Sequence, residues 1–92
     1  KHAVEGFSKA MALEFGPAQI RVNTICPTFI RTPLTEPTFG NPERMAWVKE
    51  RIKLGRVGQV EDIMGAVVFL ASDAAGLVTG SALMVDGGWT AE

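Results

Sequence analysis

Five consecutive residues, Thr28-Phe29-Ile30-Arg31-Thr32, bring two hydroxyls, a guanidinium and unpaired backbone groups into one short loop. Hydroxyls and loop amides both donate and accept hydrogen bonds, which equips such a loop to grip a small polar ligand. The loop follows Ile20 to Cys26, a run rich in β-branched and apolar residues that reads as a strand. Pro27 has no N–H to give to a ladder, so the chain is expected to leave the sheet there. The carboxyl end of the strand then opens into the loop, and in open α/β sheets that edge is where ligands bind.

Other residues with chemical potential are few. Cys26 has no histidine or other base near it in sequence and reads as a buried apolar side chain. His2, the only histidine, falls on the first turn of a helix, where solvent or a subunit contact is expected. No second ligand-type residue stands at zinc spacing, so no metal site is expected. Phe29, Leu34, Phe39, Trp47 and Trp89 are candidates for lining a substrate pocket, with core or interface packing as the alternative. Asn23, polar on a buried strand, must find hydrogen bonds and reads as a brace for the adjacent backbone.

The elements that position these residues can be taken in order. Val4, Phe7, Met11 and Phe15 recur at helical spacing, with Ala3, Ala10, Ala12 and Leu13 widening the stripe, so a helix from His2 to Phe15 is buried on more than one side. Gly16-Pro17 stops it. Asn41-Pro42-Glu43 signals a second helix, capped by Asn and carrying Met45, Val48 and Ile52 on one face. Between strand and helix, Pro27, Pro33, Pro37, Pro42 and Gly40 mark a long irregular segment, and residues 33–55 read as a substrate loop or lid. A third helix runs from about Val60 to Ala71 with apolar residues around much of its circumference. Ser81 to Val85 reads as a second strand, closed by the turn Asp86-Gly87-Gly88.

Two strands separated by helices should lie parallel, and parallel sheets are covered on both faces. Two strands cannot cover three helices. The expected fold is therefore α/β, the C-terminal part of a doubly wound, Rossmann-like parallel sheet in the order helix-strand-helix-helix-strand. Composition agrees: 47% of the 92 residues are apolar and 21% charged, a rich mixture for a short chain, which implies faces meant for other protein. A net charge of −1 argues against nucleic acid, because phosphate binding needs a basic patch. One cysteine leaves no disulfide framework, and no apolar run reaches the length of a membrane span, so a reducing, cytoplasmic compartment is expected.

Four runs in order, KHAVEGFSKAMALEF, IRVNTICPTFIRTP, VEDIMGAVVFLASD and TGSALMVDGGW, resemble the C-terminal portion of the short-chain dehydrogenase/reductase family. The resemblance covers nearly the whole chain and is weakest from Leu34 to Lys53. It implies an NAD(P)-dependent oxidoreductase that interconverts a secondary alcohol and a ketone, of the 3-oxoacyl thioester or the sugar and sugar-acid type, in a homodimer or homotetramer. Lys1 falls where the lysine of the family's Tyr-x-x-x-Lys motif would stand. Its implied roles are catalytic, favouring the phenolate form of the tyrosine, and cofactor-binding, at the nicotinamide ribose. The sequence holds no Tyr, so the implied tyrosine would precede Lys1. Pro27 to Thr32 looks like the family's Pro-Gly-x-x-x-Thr segment. The resemblance thus implies a cofactor-binding role for Pro27, Thr28, Ile30 and Thr32, with the Ile30 backbone and the Thr32 hydroxyl toward the carboxamide of NAD or NADP. Thr28 stands where the family usually has Gly, and strain is expected if that position needs a positive φ. The competing expectation is a non-catalytic fragment that acts only as an association module.

Overall fold

The computed structural model describes residues 2–91, so Lys1 and its expected roles lie outside the described residues. Helix α1 (His2–Phe15) is followed by a 3₁₀ turn at Gly16–Ala18, strand β1 (Thr24–Pro27), helices α2 (Glu36–Phe39), α3 (Pro42–Arg51) and α4 (Val60–Ala71), strand β2 (Ala82–Val85) and a final 3₁₀ turn at Trp89–Ala91. The two strands pair in parallel, with Thr24 opposite Ala82 and Pro27 opposite Val85. The α/β class and the parallel pairing follow the pattern of strands separated by helices. Helix α4 packs against both strands.

Strand β1 departs from expectation at both ends. It begins at Thr24 rather than Ile20, and Pro27 is its last paired residue rather than the first residue beyond it. A terminal position tolerates proline because the missing N–H is needed only if the ladder continues. Upstream, residues 20–23 are tied to the approach to β2 mostly by side chains. Thr79 Oγ1 accepts from Val22 N–H at 3.0 Å, Asn23 Nδ2 donates to Val78 O at 2.9 Å, and Asn23 Oδ1 accepts from Ser81 N–H at 3.1 Å. Asn23 is thus the brace its polarity required. Arg21, which drew no attention as a sequence feature, does the same for α4: its guanidinium donates to Leu70 O at 2.8 Å and to Val78 O at 3.2 Å. A cation at carbonyls that have no helical partner is favourable at a helix C-terminus.

The proline-rich segment is more ordered than expected. Thr35 to Gly40 closes into the short helix α2, with Pro37 at a first-turn position that needs no N–H donor. Helix α3 starts as anticipated, with Asn41 Oδ1 accepting from Glu43 N–H at 3.0 Å and Arg44 N–H at 3.3 Å. This segment also carries the main apolar core: Phe39, Val48, Ile52 and Val57, with Phe29, Met45 and Trp89 packed against it. Residues 33–55 therefore hold two helices, of which Phe39, Val48 and Ile52 belong to that core.

The opposite side is open. Val4, Phe7 and Leu13 on α1 and Met64, Val67 and Val68 on α4 are exposed, and α4 buries no residue fully. The accessible surface is 6443 Å², against about 5,200 Å² for a compact monomer of 9.9 kDa. The radius of gyration is 15.6 Å, against about 12 Å for a compact domain of 92 residues. These apolar faces need cover from protein beyond the described residues. Among those residues no helix is long and apolar enough to cross a membrane.

Two local devices make testable demands. Gly87 has φ +62°, and a Cβ there would lie 2.5 Å from Ile52 Cγ2 in the core. Gly87→Ala should cost about 1–3 kcal/mol in urea unfolding of the whole protein, through backbone strain and overpacking together. At the start of α4, Arg56 Nη1 donates to Asp62 at 2.7 Å, and Asp62 also accepts from Gln59 N–H at 2.8 Å. Those bonds, the one from Arg56 first, bring the Asp62 carboxyl down to about 2 from an ordinary 3.8. A depressed carboxylate contributes stability that is complete above its unfolded pKa and lost as pH falls through the folded one. Asp62→Asn should therefore lower the melting temperature at pH 7, and the difference from wild type should shrink as pH falls from about 4 toward about 2.

Candidate functional site

Parallel pairing brings the carboxyl ends of both strands to one edge, so the segments after Pro27 and after Val85 emerge side by side. A cleft of about 500 Å³ lies between them. Cys26 to Ile30, Thr32 and Thr35 form one wall, and Met84, Asp86, Trp89 and Thr90 form the other.

The first wall is held by backbone pairing to a distant segment. Gly58 N–H donates to Phe29 O and Arg31 N–H to Gly58 O, both at 2.8 Å, making an isolated parallel bridge between Ile30 and Gly58. Such a bridge uses the neighbours of Ile30, so the N–H and C=O of Ile30 itself face the other way. The carbonyl accepts from Thr35 Oγ1 at 2.7 Å, while the Ile30 N–H has no hydrogen-bond partner among the described residues. Thr35 Oγ1 also accepts from Thr32 N–H at 2.9 Å and lies 3.4 Å from the Thr32 hydroxyl. Thr28 keeps a negative φ, so the expected strain at the position of a family glycine does not arise. Its hydroxyl has no hydrogen-bond partner among the described residues.

The second wall is organised by Asp86, which is 9% exposed. Its carboxylate accepts from Thr90 Oγ1 at 2.7 Å, Gly88 N–H at 3.1 Å and Thr90 N–H at 3.2 Å. The Thr90 hydroxyl foremost, with the backbone amides, holds this carboxyl below its usual range despite the opposing effect of burial. The turn it stabilises sets Trp89 against Phe29, with ring centroids 5.7 Å apart. Phe29 in turn meets Phe39 edge-on at 6.4 Å, and Trp47 meets Trp89 edge-on at 5.7 Å.

The sequence-derived candidates therefore separate. Pro27, Thr28, Phe29, Ile30, Thr32 and Trp89 come together on the cleft. Phe39 is buried behind Phe29 and Trp47 flanks Trp89, so both support the walls from outside the lining. Leu34 is 90% exposed and takes no part in the lining. Thr35 and Thr90 went unnoticed in sequence, and Asp86 was read only as the start of the turn that closes the second strand. Cys26 has an acidic neighbour that sequence distance concealed: its thiol lies 3.5 Å from Glu5 Oε1, which also accepts from Thr24 Oγ1 at 2.9 Å. Among the described residues no group of three His, Cys, Asp or Glu side chains could hold a metal ion.

A loop after a parallel strand, with an unmatched amide and hydroxyls on a cleft, agrees with the matches to known proteins. A family model described as enoyl-(acyl carrier protein) reductase matches residues 1–90. The chain belongs to the short-chain dehydrogenase/reductase family. Over 89 residues it is 43% identical to D-erythrulose reductase of Gallus gallus, covering 97% of this chain and 36% of that protein. It is 46% identical to 2-dehydro-3-deoxy-D-gluconate 5-dehydrogenase of Bacillus subtilis, covering 97% of this chain and 35% of that one. The structure of 4-hydroxyisoleucine dehydrogenase complexed with NADH superposes with a TM-score of 0.95 at 46% identity, over 99% of this chain and 37% of the other. The chain thus spans little more than a third of these short-chain dehydrogenase/reductase relatives.

Within this part of the family fold, Thr35 is the joint of the wall formed by the loop after β1. Thr35→Val keeps the volume but leaves Thr32 N–H and Ile30 C=O without their partner, at a cost of about 1–3 kcal/mol. Hydrogen exchange in the whole protein should show the Thr32 amide exchanging about tenfold faster or more, with α1 unaffected.

Proposed function

We propose that the whole protein containing this chain is an NAD(P)-dependent oxidoreductase that interconverts a secondary alcohol and a ketone. In this reading residues 1–92 are the C-terminal segment of one Rossmann-like domain, supplying the nicotinamide end of the site and, through residues 33–55, the stretch that flanks the substrate. The observation that carries the reading is the Ile30 N–H, unmatched beside a hydroxyl-bearing cleft at the carboxyl edge of a parallel sheet.

The residues present fit a nicotinamide carboxamide, which needs both an acceptor for its NH₂ and a donor for its oxygen. Ile30 N–H is a free donor, the Ile30 carbonyl keeps one lone pair beside its bond from Thr35, and the Thr32 hydroxyl adds a group able to play either part. Pro27 ends the strand and Thr28 begins the loop, so both serve by placing backbone at the cleft. When bound, the nicotinamide cofactor supplies or accepts the hydride. Phe29 and Trp89 exclude water from one side of the cleft, which strengthens the polar contacts within it. Lys1 is assigned to favouring the phenolate of a tyrosine that precedes it and to binding the nicotinamide ribose.

The relatives support a substrate of the sugar or sugar-acid type, with 3-oxoacyl thioesters as the other class that the family pattern suggests. The open apolar face of α4 supports assembly as a homodimer or homotetramer. A cytoplasmic location is part of the same proposal, supported by a single, unpaired cysteine.

Thr32→Val tests the cofactor assignment, because it removes a hydroxyl at constant volume. The whole enzyme should show a KM for the nicotinamide cofactor raised by about fivefold to tenfold, the equivalent of one hydrogen bond, with little change in melting temperature. Unchanged cofactor affinity and kinetics would remove Thr32 from the site.

A further inference from the structure

Helix α1 is tied to the strands by polar side chains at two places. Along β1, the Glu5 carboxylate accepts from the Thr24 hydroxyl at 2.9 Å through Oε1 and 3.0 Å through Oε2, and the Cys26 thiol lies 3.5 Å from the same Oε1. Toward the amino edge of the sheet, Lys9 Nζ donates to Gly80 O at 2.9 Å, just ahead of β2, and Ile20 N–H donates to Phe15 O at 3.2 Å, ahead of β1. Helix α1 therefore runs against the direction of the strands. Its first turns lie toward the edge where the cleft opens, and Cys26, one of the two residues that Glu5 holds, lines that cleft.

The two ends of α1 are secured differently. The carboxyl end is joined to β1 through the Gly16–Ala18 turn, and Ala12, the only buried residue of the helix, lies in its last turn. At the amino end Val4 and Phe7 are exposed, and the half-buried Glu5 makes the tie. A helix of 14 residues is about 21 Å long, so one held only at its far end swings widely at the near one. Apolar contact has no direction, whereas hydrogen bonds converging on one carboxylate fix both height and rotation. Lys1 lies outside the described residues and directly precedes α1 in sequence. The roles assigned to it above, toward a tyrosine and the nicotinamide ribose, need an ammonium held in one place, since a displacement of about 1 Å already weakens such positioning.

We propose that Glu5 is a positioning residue for the nicotinamide end of the site: by tying the first turns of α1 to Thr24 and Cys26 of β1, it fixes where Lys1 is presented to the cofactor. Glu5 is not part of the cleft lining and acts through the helix, by accepting hydrogen bonds rather than by its charge. This rests on the oxidoreductase reading above and adds a residue to it.

The test is the dissociation constant of the whole protein for NADH and for NADPH, titrated without substrate, beside the melting temperature of each variant. Glu5→Ala should weaken binding of the preferred nucleotide by about threefold to tenfold, the range over which residues without ligand contact modulate affinity. Glu5→Gln keeps the acceptor oxygen that serves both Thr24 and Cys26, so it should bind within about twofold of wild type. Thr24→Val cuts the same tie from the strand side and should weaken binding as Glu5→Ala does, with the double variant no weaker than either single one. Lys9→Met, which cuts the tie to Gly80, should leave binding unchanged whatever it does to the melting temperature. Wild-type affinity in folded Glu5→Ala or Thr24→Val would overturn the inference. So would an equal loss in Glu5→Gln, which would make the charge the active feature, or in Lys9→Met, which would make the effect a general loosening of α1. Should Glu5→Ala fail to fold, Thr24→Val and Glu5→Gln carry the same decision. A wild-type protein that binds neither nucleotide would overturn the oxidoreductase reading and the inference with it.

Discussion

The parallel pairing of Thr24–Pro27 with Ala82–Val85 is the constraint on which the rest of the structure depends. Parallel strands end on the same side, so whatever follows each of them must share that edge. Pro27 ends one ladder because it has no N–H to continue it, and Asp86 ends the other by drawing the chain into the Gly87-Gly88 turn. Two loops more than fifty residues apart in sequence thereby become the two walls of one cleft. An antiparallel pair would have sent them to opposite ends.

The walls are firm because each is braced from behind. The loop after β1 is pinned by the Ile30–Gly58 bridge and by the Thr35 hydroxyl, and the turn after β2 is pinned by three hydrogen bonds onto one carboxylate. Beneath them Val48 and Ile52 are fully buried, joined to the cleft through the contacts of Phe29 and Trp89. The packed core thus lies on the side of the cleft, and the open apolar surface lies on α1 and α4. That division is what a part of a doubly wound domain should show, since its helices pack against strands and helices contributed by other residues.

Much of this was legible from residue types alone. The extents of α1, α3 and α4 follow from apolar spacing bounded by Gly16-Pro17, Asn41-Pro42 and the small residues after Ala71, signals that act over a few residues. Asn23 had to be braced, because a buried amide without partners is costly. Helix α2 was hidden by its composition: Pro37 and Gly40 read as breakers, yet one sits at a first turn and the other just past the last. The start of β1 was misplaced because Ile20 and Val22 have the character of strand residues, while toward Val78 to Gly80 only the bond from Gly80 N–H to Val22 O is backbone to backbone, the others running through the side chains of Arg21, Asn23 and Thr79. The functional surface divided along the same line. Thr28, Ile30 and Thr32 lie in one contiguous motif and could be named from it, whereas Thr35, Asp86 and Thr90 matter through whom they touch.

By itself, then, the sequence determined the elements other than α2, their relative order, the parallel arrangement and one wall of the cleft, because these depend on local conformational preference and on the period of apolar residues. The tertiary structure alone decided that Asp86 and Thr90 stand opposite that wall, that Trp89 lines it while Leu34 is exposed and Trp47 stands behind, and that Arg31, Arg51 and Arg56 are committed away from it. Those facts rest on contacts across tens of residues. Strand register and the packing of Val48 and Ile52 select them, and no local pattern encodes either.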